Sequence, residues 1–109
     1  MKTIKITDSL GNKYILEYNR RAVEILEKSG FSIEKIHEMP ATMLPALFAG
    51  AFIMHNKKMS QETIDSLFAS LPDKVKLSST LVGMYNETVS VLLDDPEDTE
   101  GNATWEIIE

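Results

Sequence analysis

The sequence predicts an α+β fold, mostly helical, with an N-terminal β-hairpin, about five helices behind it and an acidic C-terminal tail. Three observations predict it. Apolar and polar residues alternate along KTIKIT and KYILEY; from residue 20 to 93 the apolar spacing becomes helical; and the closing stretch DDPEDTEGNATWEIIE holds seven acidic residues and no basic one. A chain of 109 residues has room for one core, assigned to residues 1–93, with residues 94–109 as a flexible tail.

In the hairpin, Ile4 and Ile6 alternate with polar neighbours, Tyr14, Leu16 and Tyr18 alternate likewise, and Asp8, Gly11 and Asn12 supply the turn. Two strands alone are marginal in water, so the hairpin lays one face on the helices or pairs with another chain's edge. Asn19 caps the first helix, whose inner face is Ala22, Val23 and Leu26 and whose stop is Gly30. Arg20 and Arg21 oppose the dipole of its first turn. They are either a hook for an acidic partner or, more simply, Arg20 pairs with Glu24 one turn on. Ser32 caps a short helix reaching Glu38, with Ile33 and Ile36 inward, and Pro40 ends it.

Residues 41–54, ATMLPALFAGAFIM, carry no charge and are apolar nearly all round, which places this helix at the centre of the bundle. A cap at Thr42 puts Pro45 in the first turn, where its missing N–H costs little. Ala46, Ala49 and Gly50 form a small-residue ridge that either receives a neighbouring helix or makes a self-association face. Ser60 caps the next helix, with Ile64, Leu67 and Phe68 inward and Pro72 at its end. The longest helix runs from Asp73 to about Leu93. Leu77, Leu81, Met84, Tyr85, Thr88 and Leu92 lie on one face of it, with Val75, Val82 and Val89 beside them. The expected core holds Leu47, Phe48, Ala51, Phe52, Leu67, Phe68, Leu81 and Tyr85.

Charge and composition narrow the function. Residues 1–93 hold all 11 Lys and Arg against 10 Asp and Glu, so the net charge of −6 comes from the tail. A nearly neutral body has no basic stripe for a phosphate backbone, which argues against nucleic acid as partner. No apolar run approaches the roughly 20 residues of a membrane span, no export signal opens the chain, and the absence of Cys fits a reducing cytoplasm.

Catalysis and cofactors are not expected. His37 and His55 are the only histidines, and neither has a carboxylate or second His at a metal-ligand spacing. No phosphate loop or nucleophile elbow occurs. DDPEDTE lacks the alternating ligands of a calcium loop, and NAT at 102–104 is a glycosylation acceptor without meaning in a cytoplasmic chain. A binding module remains. Trp105, Ile107 and Ile108 close the acidic tether as an apolar hook that either docks on a partner, as an added strand in TWEII, or tucks back into the protein's own groove.

The segments LEYNRRAVEILEKSGFSI, TMLPALFAGAFIMHNKK and LVGMYNETVSVLLDDPEDTEGNATWE, in that order, resemble tail assembly chaperones of long-tailed phages and prophages of Gram-positive bacteria. The resemblance implies a non-catalytic, self-associating protein of the host cytoplasm, absent from the finished virion. It implies binding to the tape measure protein and help to major tail tube subunits as they polymerise around it. It further implies that such a short form is extended by a ribosomal frameshift near its end. Six Met residues fit either deformable contact surface or core filling. Two other classes stay open: a structural virion component, and an acidic regulatory protein or DNA mimic, although mimicry wants carboxylates on a rigid face rather than a tether.

Overall fold

The computed structural model describes residues 2–56, 58–94 and 103–108. Strand β1 (Ile4–Thr7) and strand β2 (Lys13–Leu16) pair antiparallel, with Ile4 opposite Leu16 and Ile6 opposite Tyr14. The turn is built around Asp8, whose carboxylate accepts from the N–H groups of Leu10 and Asn12 at 2.9 and 2.8 Å. Desolvation pushes this carboxyl up, but the bonds from Asn12, Leu10 and Tyr14 outweigh it and hold it below the ordinary value. Gly11 takes a φ of +86°, which a Cβ would disfavour. The alternation then buries Ile6, Leu16 and Tyr18 on the inner face.

Helix α1 (Arg20–Lys28) begins where the Asn19 side chain accepts from the Ala22 N–H at 2.8 Å. It ends in a Schellman arrangement: Gly30 is left-handed, its N–H donates to Glu27 O, and the Phe31 N–H donates to Leu26 O at 3.0 Å. Leu26 and Phe31 are both buried, so the terminus is also an apolar contact.

The short helix expected after Ser32 is a single 3₁₀ turn, Ile33–Lys35, and the Ser32 side chain makes no cap bond. Pro40 starts helix α2 (Pro40–Gly50) rather than stopping its predecessor, because its fixed φ suits a first helical position. Thr42 is therefore not the cap, and Pro45 sits inside the helix, where it leaves the Ala41 carbonyl without its helical donor. The helix also ends earlier than expected, and Ala51–His55 continue as turns. Met43, Leu47, Phe48, Ala51 and Phe52 are buried, since α1 and two later helices pack on this segment and the hairpin reaches it through Tyr14 on Phe52 and the Glu17 N–H bond to Ala51 O.

Those two are α3 (Gln61–Ser70), capped by Ser60, which accepts from the Thr63 N–H at 3.2 Å, and α4 (Lys74–Val91). Between them Asp73 adopts φ +52° and ψ +52°, which turns the chain sharply without a side-chain cap. Phe68 is only half-buried, against expectation, because it lies at the margin of the core with its ring 4.8 Å from that of Phe48. Leu81, Met84, Tyr85 and Thr88 are buried, whereas Val75, Val89 and Leu92 are exposed. Helix α4 spans about 27 Å at 1.5 Å per residue, longer than α1 or α2, and these three exposed residues lie toward its two ends. Among the described residues no helix is long and apolar enough to cross a membrane.

Candidate functional site

Helix α4 carries part of the exposed apolar surface. At its start Val75 is 85% exposed and rims a groove of about 490 Å³ between the 3₁₀ turn, α2, α3 and α4, floored by Ile36, Leu44, Phe68 and Val82. His37 and Lys74 stand on the same rim. Lys74 spends its ammonium on the C-terminal carbonyls of α3, Ala69 O at 3.1 Å and Leu71 O at 2.6 Å, where a cation is favoured by the dipole.

Beyond the far end of α4, Leu93 stands in water and the hook follows. Trp105 is 84% exposed, Ile107 77% and Ile108 92%, and residues 103–108 form neither helix nor strand. The hook does not tuck into the protein's own groove. The acidic tether from 95 to 102 lies outside the described residues, as does Glu109.

The ridge Ala46, Ala49 and Gly50 is not a bare face. Leu26 of α1 lies over Gly50, where a Cβ would fall 2.5 Å from its Cδ1, so the glycine is what lets α1 approach. Ala46 and Ala49, half-buried, line a second groove of about 550 Å³ between α1 and α3. Arg20 pairs with Glu24 at 3.3 Å across the exposed surface of α1, the simpler of the two expected arrangements. Arg21 is exposed beside Ile25 and Met54.

One polar contact had no sequence signal. His55 Nε2 meets Glu17 Oε1, joining residues 38 apart that no local spacing connects. The pair fastens the end of β2 to the turns after α2, beside the Glu17 N–H bond to Ala51 O at 3.1 Å and the Asn56 side-chain bond to Ile15 O at 3.1 Å. Its setting is a clamp between hairpin and bundle. No group of three or more His, Cys, Asp or Glu side chains among the described residues is placed to hold a metal.

The family model described as "Domain of unknown function (DUF5055)" matches residues 1–108, so the chain belongs to that family. No curated protein and no solved structure matches the chain.

Proposed function

We propose that this member of the DUF5055 family is a non-catalytic phage tail assembly chaperone, which binds the tape measure protein and assists tail tube polymerisation in the host cytoplasm. One observation carries the reading: Val75 stands in water on the rim of an apolar groove, and Trp105, Ile107 and Ile108 stand in water in the hook. Proteins that work alone rarely leave such surface bare. The groove rimmed by Val75 has the breadth and apolar floor to take one face of an amphipathic helix, the form that a long helical tape measure would offer. The order of segments that carries the resemblance supports the same role.

Co-expression with the tape measure protein, followed by capture from soluble lysate, tests this. Val75→Glu leaves the fold intact because the side chain is exposed, and it sets an unpaired charge where the partner's apolar face would cover it; capture is expected to fall about tenfold or more, the effect of desolvating that charge. Capture that is absent with the native chain, or undiminished by Val75→Glu, would remove the helix-in-groove reading. Detection of the protein in purified particles would make it a structural virion component instead.

A further inference from the structure

We propose that the hook of one copy adds as a third strand to the free edge of β1 in a second copy. The inference rests on the reading of the chain as a protein-binding assembly factor and names what its hook grips. On β2 the outward-facing backbone groups are those of Lys13, Ile15 and Glu17, and two of them are taken: the Ile15 carbonyl accepts from the Asn56 side chain and the Glu17 N–H donates to Ala51 O. Lys5 stands opposite Ile15, so the alternation of an antiparallel pair turns the N–H and C=O of Thr3, Lys5 and Thr7 away from β2. The sheet has two strands, and among the described residues no backbone group bonds to that edge. An open edge is a template for another strand.

The hook matches this edge in pattern and in charge. Along a strand, Trp105 and Ile107 would fall on the side of Ile4 and Ile6, and Glu106 on the side of Lys5. The Ile4 side opens on a shallow groove of about 250 Å³ lined by Ile4, Leu77, Thr80, Lys76 and Asp73, which is room for apolar side chains beside the strand. Lys2, Lys5 and Lys76 are exposed around the edge and Asp73 is the acid among them, so a segment from a tail of seven acids meets a net positive border.

A second copy is favoured over the chain's own edge by reach. Leu77, at the groove, lies about 25 Å along α4 from Asp94 at 1.5 Å per residue. Ten residues from there to Thr104 extend at most about 33 to 36 Å. Docking on its own body would hold the tether at about three quarters of its full extension, beyond the roughly 16 to 19 Å root-mean-square span of a flexible ten-residue chain, and in the structure the hook is exposed. Hook to edge is a head-to-tail contact, which propagates into rings or filaments and so suits a coat on a long partner.

Sedimentation of the full chain across a concentration series, without any tape measure protein, reads this contact alone. The native chain should exceed the monomer mass as concentration rises. Trp105→Ala should weaken association about tenfold or more, and Lys5→Glu or Glu106→Lys about three- to fivefold each, the scale of one cross-strand charge pair. The double variant Lys5→Glu with Glu106→Lys should recover it. A native chain that stays monomeric throughout, or a double variant no better than the singles, overturns the proposal. So does a monomer whose Trp105 emission is blue-shifted and loses that shift in Glu106→Lys, since the hook would then occupy its own edge. Tape measure capture is scored separately, so loss of capture with intact self-association counts against the chaperone role and not against this contact.

Discussion

Two glycines and a tyrosine show how single residues set the packing. Gly50 has Leu26 Cδ1, Cγ and Cδ2 within 2.8 Å of where a Cβ would stand, and these atoms include the branch point of the side chain as well as its tips. Gly83 lies in the interior of α4 with nothing within 4 Å of the same position. The same substitution therefore has opposite signs. Gly50→Ala is expected to destabilise by about 1 to 3 kcal/mol through overpacking, and Gly83→Ala to stabilise by about 0.4 to 1 kcal/mol by restricting the unfolded chain; urea melts of the two proteins measure both. Tyr18 is buried with its hydroxyl donating to Leu47 O at 2.6 Å, and desolvation drives its phenol far above its ordinary value, with Tyr85 adding to the shift. A raised phenol pKa means that only the unfolded chain ionises just above pH 10, so the stability present below that pH is lost as pH rises past it. Tyr18→Phe should cost about 1 to 2 kcal/mol at neutral pH, and stability plotted against pH above about 10 should fall less steeply than in the native protein.

At the scale of elements, α2 is the hub, since the hairpin and the other three helices pack around it and its neighbouring turns. Tyr14 meets Phe52 at 6.1 Å between ring centroids, and Phe48 meets Phe52 at 5.0 Å, so one side chain joins the hairpin to the bundle. Phe52→Ala is expected to cost about 3 to 5 kcal/mol; a denaturant melt that shows less than about 1 kcal/mol would make the segment peripheral. That centrality was legible in the sequence, because a charge-free run has no face that water would accept. The hairpin and the caps at Asn19 and Ser60 were legible too, because alternation and capping are local signals. What local signals did not carry was competition between neighbours. Pro40 and Pro45 both suit a first turn, and only packing decides that Pro40 takes it. Helix α4 reads as two-sided over its whole length, yet Val75, Val89 and Leu92 toward its two ends are exposed. The Glu17–His55 clamp and the free edge of β1 exist only once the hairpin has been laid on the bundle.

As a whole, the molecule keeps its charge and its packing apart: a body of net charge +1 up to residue 93 holds the core, and a tail of net charge −7 holds the hook. Like-charged tails repel, which opposes association of the near-neutral bodies without direction, while the proposed hook contact would give association a direction. This division predicts that the tail contributes almost nothing to folding, because the described part of it is exposed and buries no core residue. Removal of residues 94–109 should change stability by less than about 0.5 kcal/mol, a melting shift below about 4 °C in a domain of this size. Trp105 allows the same point to be tested without any deletion, since it is the only tryptophan and lies outside the body. In dilute protein, where hooks are not docked, its emission should be that of a solvated indole before and after unfolding, while circular dichroism follows a cooperative loss of helix. Raising the concentration should blue-shift the native emission as hooks find edges, and urea should abolish that shift before the helix signal falls. A blue shift that is present at high dilution and vanishes at the same midpoint as the helices would mean that the hook is folded onto its own body as a structural latch.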